Sequence, residues 1–396
     1  MDNQSPAPPA PYEDELLGLL DRLISIPSVN PGLDPTGTGE GQMADFLQEW
    51  AKNNGLESRR IGDDRPSIIL TNATQHPGAP TILFGGHLDT VGFGQMSNPL
   101  APTRVGDQIH GRGAYDMKSG MAASLIAMRE LAANHDINVV VAMVADEEFG
   151  SRGMEQTLPF LTADYAIVAE MTELQIGVAH KGFVWLDVLI TGKAAHGSRP
   201  DLGVDAIMNA GHVLVALQAL DASLRSRQHP LLGSPNLHAS LITGGIEEST
   251  IPDECRIILE RRTLPGETSE SVLAEVQQAV FESISGLPGV TAEVTVIQHR
   301  HPFEIDPANP LVQALTAAAH QHGTKAPTVG VSYWADSALI AETGVPTVLF
   351  GPSGEGAHAQ VEWVSAESIV KLAQIFITAA ASLGASAQST DSRAAR

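Results

Sequence analysis

The sequence predicts an α/β protein: a mixed sheet flanked by helices, with a unit of βαββαβ order inserted into it. Three observations carry this expectation. Short apolar runs at 67–70, 81–84, 137–145, 165–169 and 346–350 alternate with helical segments in the outer parts of the chain. The run 137–145 is almost wholly Val, Ala and Met, the composition of a strand buried on both faces, as in a parallel sheet. From Lys181 to Gln298 the order changes to strand 183–191, helix 204–220, strands 237–242 and 256–263, helix 270–285 and strand 291–297. That is the split arrangement of ferredoxin-like units. The expected domains are therefore 1–180 together with 299–396, and an insertion over 181–298.

The elements follow in order. Residues 1–11 are rich in Pro and Ala and read as a disordered tail. An amphipathic helix over 13–26 is ended by Pro27. A glycine-rich loop, 31–41, leads to a helix over 43–54 that Gly55 is placed to cap. Residues 111–116 read as a loop, and 117–133 as an Ala/Met/Leu-rich helix with Asp116 at its start, where Asp is also a common cap. The Ser/Ala-rich stretch after Ala385 reads as a second disordered tail.

A chain of 396 residues exceeds one comfortable core, which favours two domains. Its 43% hydrophobic and 17% charged content is that of an ordinary folded protein. A net charge of -23 argues against nucleic acid and against an anionic membrane surface as partner. The single cysteine, Cys255, excludes an intramolecular disulfide, fits a reducing compartment and reads as a buried structural thiol. The N-terminal residues have neither a basic region nor an apolar core of signal-peptide type, and no apolar run approaches a membrane span. The location expected is the cytoplasm.

The chemistry concentrates at strand ends. The run 81–84 closes on Gly85-Gly86-His87-Leu88-Asp89, and side chains two apart on a strand point the same way. An imidazole and a carboxylate are thereby placed together where open α/β sheets keep their sites. Alone, such a pair is more often a histidine satisfied by its neighbour. Other strand ends carry similar groups: Asp146-Glu147-Glu148, Glu170, and His358 in the loop after 346–350, with Asp116 at a helix start. His87, Asp116, Glu148, Glu170 and His358 suit zinc, or cobalt or manganese, and not calcium, which takes all-oxygen shells. Five ligands exceed what one tetrahedral zinc with an open position uses. They suit two ions roughly 3.5–4 Å apart that share a carboxylate and a water. Asp89 would orient the ring of His87 from behind. Of the consecutive acids Glu147 and Glu148, one can bind metal while the other faces the water as general base.

These segments resemble the co-catalytic zinc aminoacylase family, which includes acetylornithine deacetylase, succinyl-diaminopimelate desuccinylase and glutamate-releasing carboxypeptidases. The matching stretches are Gly86–Val91, Gly111–Lys118, Asp146–Ser151, Glu170 and Gly356–His358, in the family's order across nearly the whole chain. The resemblance implies that Asp116 bridges two zinc ions, that His87 and Glu170 complete one site, and that Glu148 and His358 complete the other. It makes Glu147 the catalytic base and Asp89 the orienting carboxylate. It also implies a zinc-peptidase-like sheet with the insertion as a lid and dimerisation domain.

Within the insertion, Gly192–Pro200 resembles the segment whose histidine, here His196, binds the substrate carbonyl oxygen, in dimeric relatives across the partner's site. Glu260-Arg261-Arg262 resembles an Asp-x-Arg stretch in which Arg262 would hold a substrate carboxylate; Glu260 stands where the family has Asp. The loop beginning at Arg199 would add substrate contacts. The activity implied is hydrolysis of the amide bond of a small N-acyl amino acid, because Glu170 matches the aminoacylases and deacetylases where many peptidase members have Asp. The alternative within the family is a carboxypeptidase or dipeptidase acting on short peptides. A non-catalytic binding protein on the same fold would be expected to lack a ligand or the base, and none is missing.

Overall fold

The computed structural model describes residues 10–135 and 137–394. The expected N-terminal tail therefore lies almost entirely outside the described residues. Two compact units are present. One comprises the chain up to Val178, Ile305–Val329, and the chain from Ala335 on; the other comprises Ala179–Glu304 and Gly330–Trp334. The insertion thus runs past Gln298 and takes in a short return segment.

The first unit is built on a mixed sheet. Its strands lie in the order Leu56–Ile61, Ser67–Asn72, Asn138–Val144, Thr81–His87, Tyr165–Val168, Thr347–Leu349 and Ile176–His180. The middle four run parallel, and the first two and the last pair antiparallel to their neighbours. Alternation divides the parallel strands between two covered faces. Ile82, Phe84, Val139, Val141, Met143, Ile167 and Val348 join one large core with helices Glu13–Ser25, Ser119–Asn134 and the buried part of the last helix. Leu83, Ala142, Ala166, Val168 and Leu349 are buried on the other face. The strand Leu56–Ile61 had no signature in the sequence. Its Glu57, Ser58, Arg59 and Arg60 are exposed, as befits a charged strand at a sheet edge.

Three expectations are corrected. The helix expected from Met117 starts at Ser119, because Ala114–Lys118 form an irregular turn with Asp116 and Met117 outside helical geometry. The last helix, Ala366–Ala394, continues through the stretch expected to be a disordered tail. Among the described residues, two helices are long and apolar enough to cross a membrane by length and composition, Ala206–Leu224 and the Ala366–Ala385 part of the last helix. The second owes its apolarity to the core, where Ile369, Leu372, Ile375 and Phe376 are fully buried.

The second unit is a four-stranded antiparallel sheet in the order Asn236–Gly244, Glu254–Thr263, Gly182–Thr191, Thr291–Arg300. Helices Ala206–Leu224 and Ser269–Ile284 cover one face, over a core that includes Val184, Leu186, Val188, Ile190, Ile257 and Leu259. Both helices start on side-chain caps. Asp205 accepts the Met208 N–H at 2.9 Å, and Thr268 and Ser271 satisfy each other reciprocally. Phe183, Trp185, Glu260 and Arg262 lie on the opposite, half-exposed face.

Candidate active site

Parallel strands bring their carboxyl ends to one edge of the sheet, and that edge gathers the site. His87 is the last residue of its strand, Glu147 and Glu148 follow Val144, Glu170 follows Val168, and His358 lies in the loop after Leu349. Two close approaches hold Glu170 in place. A Cβ on Gly120 would lie 2.1 Å from the Ala169 carbonyl oxygen, and one on Gly351 would lie 1.9 Å from that of Glu170. Only glycine permits either contact.

Asp116 sits between the two histidines. Its Oδ1 is 3.1 Å from His87 Nε2 and its Oδ2 is 3.2 Å from His358 Nε2. His87 Nε2 also lies 3.6 Å from Glu170 Oε1, and His358 Nε2 lies 2.9 Å from Glu148 Oε2. Donor atoms of His87, Glu147 and Glu170 fall within 4.8 Å of one another, as do those of His87, Asp116 and Glu148. The five residues expected as ligands are therefore together, with Glu147 among them. Asp146, before the two acids, takes a left-handed backbone conformation (φ 67°), as does His358 (φ 63°). Such conformations are uncommon for residues with a Cβ and concentrate at functional sites.

Asp89 acts differently from the sequence expectation. The Nδ1–H of His87 meets the main-chain carbonyl of Asp89 at 2.9 Å, while the carboxylate is 3.8 Å away. The Asp89 carboxylate instead accepts the N–H groups of Glu147 at 3.1 Å and Glu148 at 3.2 Å, and the Asn30 amide at 2.6 Å. It orients the two glutamates through their backbone, and the histidine ring through its own carbonyl. Sequence reasoning missed Asn30, which also reaches Asp146 at 3.2 Å, and Arg65, which pairs with Asp146 at 3.1 Å. It also missed Glu362, whose buried carboxylate accepts the Asp116 N–H. These partners are far apart in the chain, so no local spacing marks them.

The electrostatics are those of crowded acids. Burial pushes the Glu148 carboxyl up to about 7, with Asp116 adding and His358 opposing. Burial likewise lifts Glu170 to about 8, with His87 opposing and Asp116 and Glu148 adding. Glu147 is raised well above the carboxylate range by burial, despite His87, with the Glu170 charge contributing. His358 is driven up to about 10 by its hydrogen bonds to Asp116 and Glu148. Burial would lower His87, but the Asp116 hydrogen bond and the charges of Glu170 and Glu147 outweigh it and raise it well above the usual value. Protons thus hold the imidazole–carboxylate contacts together. A divalent cation would replace them and reverse each acid's shift. The residues fit such an ion: the donors are imidazole nitrogens and carboxylate oxygens, and Glu148 Oε1 is buried with no hydrogen-bond partner.

The remaining predicted residues belong to the second unit. His196 is exposed, and its Nδ1 accepts from the Ser198 N–H at 3.1 Å, which leaves the hydrogen on Nε2. Arg199 is exposed and paired with Asp201 through two contacts of 3.0 and 2.9 Å. Arg262 Nε donates to Glu260 at 2.7 Å, and the guanidinium lies 5.5 Å from the Phe183 ring centre.

A mixed sheet whose parallel strand ends gather two imidazoles and several carboxylates has the architecture of a metal-dependent hydrolase. The chain belongs to peptidase family M20/M25/M40, whose sequence profile matches residues 83–382. It is similar to acetylornithine deacetylase of Vibrio cholerae, 28% identical over 366 residues covering 89% of this chain and 94% of the relative. Its fold is that of a Staphylococcus aureus tripeptidase, with a TM-score of 0.78 and 21% identity over 94% of this chain and 99% of the other. A Bacillus subtilis dinuclear metal-binding peptidase of the M20 family superposes with a TM-score of 0.75 and 16% identity, covering 94% and 99% of the two chains. The protein is accordingly a hydrolase acting on amide or peptide bonds.

Proposed function

We propose that the protein is a two-zinc deacylase of small N-acyl amino acids. The observation that carries this is Asp116, whose two carboxylate oxygens face different histidines. In this reading Asp116 is shared, His87 and Glu170 complete one site, and Glu148 and His358 complete the other. Divalent ions held there would supply Lewis-acid chemistry, polarising the scissile carbonyl and lowering the pKa of an attacking water. Glu147 takes the proton from that water and delivers it to the leaving amine. His196 donates from Nε2 to the developing oxyanion, and Arg262, aligned by Glu260, takes the substrate carboxylate. Arg199 contributes further substrate contacts. Glu170 and the acetylornithine deacetylase relative both favour a deacylase; cleavage of short peptides is the competing outcome.

A homodimer through the second unit, in the reducing cytoplasm, completes the reading. Helix Ala206–Leu224 exposes Met208 and Val215, and the adjacent edge strand Asn236–Gly244 exposes Leu241 and Ile242. Residues 206–220 and 236–246 contain no Asp, Glu, Lys or Arg. In a chain of net charge -23, an uncharged apolar surface is where two copies can approach.

The test joins metal analysis to a substrate panel. Protein purified without chelator should hold about two divalent ions per chain and lose activity on their removal. Among N-acetyl, N-succinyl and long-chain N-acyl amino acids, dipeptides and folate-like glutamates, an N-acyl amino acid should be the best substrate. Full activity in metal-free protein would sink the mechanism, and a dipeptide as best substrate would replace deacylase by peptidase.

A further inference from the structure

Glu362 is almost completely buried, with its side chain 1% exposed. Its Oε2 accepts Arg112 Nη1 at 2.8 Å and the Gly113 N–H at 3.1 Å. Its Oε1 accepts the Tyr115 N–H at 2.9 Å and the Asp116 N–H at 3.1 Å. Three main-chain donors of one loop thus converge on one carboxylate, in the manner of a backbone nest around an anion. The loop makes this possible by its left-handed Gly113 (φ 76°) and by the non-helical backbone at Asp116 (φ -113°, ψ 95°). Arg112 adds a second strap, donating from Nη2 to the Ala359 carbonyl at 2.9 Å.

Glu362 lies one helical turn's worth of sequence beyond His358, on the same connecting segment. It therefore joins the loop that carries Asp116 to the segment that carries His358. Those are the two residues whose contact, at 3.2 Å, links the halves of the site. We infer that Glu362 is a positioning residue: its carboxylate fixes the backbone of Asp116 relative to His358 and so sets the spacing at which the two share a metal ion. The inference rests on the reading of Asp116 as a shared ligand. It goes beyond that reading in assigning the alignment to a residue that touches neither substrate nor metal. The Gly113, Tyr115 and Asp116 N–H groups all donate to this one carboxylate, so the loop's shape depends on it.

The experiment measures metal affinity by chelator competition on Glu362→Gln, Glu362→Asp, Asp116→Asn and the unaltered chain, with Tm and kcat and KM at saturating metal alongside. Partners that orient ligands typically change metal affinity by about tenfold to a hundredfold, and that loss is expected for Glu362→Gln. Its kcat should fall while KM stays close to that of the unaltered enzyme, because the substrate contacts are untouched. Glu362→Asp keeps the charge with a shorter reach and should fall between the two. A role in folding alone would lower Tm and leave the metal affinity and kcat of the folded fraction unchanged, and that result overturns the inference. If Glu362→Gln does not fold, Glu362→Asp decides in its place, and unchanged affinity there overturns it equally. Asp116→Asn separates the two levels. If it keeps both ions, the shared-ligand reading fails; if it loses metal while folded Glu362→Gln keeps it, only the positioning role fails.

Discussion

Around the expected site residues, the two units treat acidic side chains in opposite ways. In the second, the acids beside the expected substrate-binding arginines, and several others, are matched by arginines: Glu260 with Arg262, Asp201 with Arg199, Glu267 with Arg261 and Arg227, Asp187 with Arg256. In the first, Asp116, Glu147, Glu148 and Glu170 face one another and two histidines at the end of a buried sheet. Each of Glu147, Glu148 and Glu170 is raised by burial and by its acidic neighbours. Acids paired in this way suit a surface that holds an arginine ready for a ligand. Charge left to be balanced from outside suits a site built for cations.

The sharpest way to break that comparison is to separate the two adjacent glutamates. Glu147→Gln should cut kcat by about a hundredfold to ten-thousandfold with metal content intact, since it removes proton transfer alone. Glu148→Gln should lose metal as well as activity. If Glu147→Gln loses metal and Glu148→Gln keeps it, the two roles are reversed.

The next prediction concerns the second unit. His196→Ala should lower kcat by about a hundredfold to a thousandfold if its Nε2–H meets the oxyanion. Where His196 serves the partner's site, both His196→Ala and Glu147→Gln homodimers lack a competent site. Random mixing of the two variants makes half the dimers mixed, each with one complete site, so activity should recover to about a quarter of the unaltered level. No recovery in verified mixed dimers would put His196 in its own chain's site or outside catalysis.

How much of this was legible follows from where the information lies. The runs 81–84, 137–145 and 165–169 announced buried parallel strands, and the residues expected as ligands follow them closely, so their convergence could be read from local order. The insertion was equally legible, because its apolar alternation continues through whole strands such as Gly182–Thr191. The edge strand Leu56–Ile61 was not, since an exposed edge has no apolar face to betray it. Asn30, Arg65 and Glu362 were invisible for a different reason: each acts through partners distant in sequence, and only folding brings them together. The turn at Ala114–Lys118 delayed the helix start for the same cause, being shaped by Glu362.

Metal removal should make stability depend on pH in a definite direction. In the metal-free chain Glu148 and Glu170 have folded values near 7 and 8, above the ordinary carboxylate range. The folded state then binds more protons than the unfolded state between about pH 4.5 and 8, so stability falls as pH rises through that window. His358, raised to about 10, acts in the same sense: its contribution is complete below about pH 6.5 and is lost as pH climbs through 10. The Tm of the chelated protein should therefore drop steadily from pH 5 to 9, and the Tm gain on adding zinc should be larger at pH 8 than at pH 5. A metal-free Tm that rises over this range would contradict the arrangement of acids described here.

The smallest effects should come from the arginines of the second unit. Arg262 has its guanidinium aligned by Glu260, which in turn accepts Trp185 Nε1 at 2.9 Å, so a planar fork is held ready on the half-exposed face. Replacing it by Lys keeps the charge and loses the fork, and should raise KM for a substrate carboxylate several-fold with little change in kcat. Arg199 is spent on Asp201 at the exposed surface, where an ion pair contributes little. Arg199→Ala should leave Tm unchanged, and any rise in KM it causes should be smaller than that of Arg262→Lys. If kcat for Arg262→Lys falls by as much as for His196→Ala, the guanidinium acts on the transition state, and the division between a charged catalytic edge and a recognising surface would have to be redrawn.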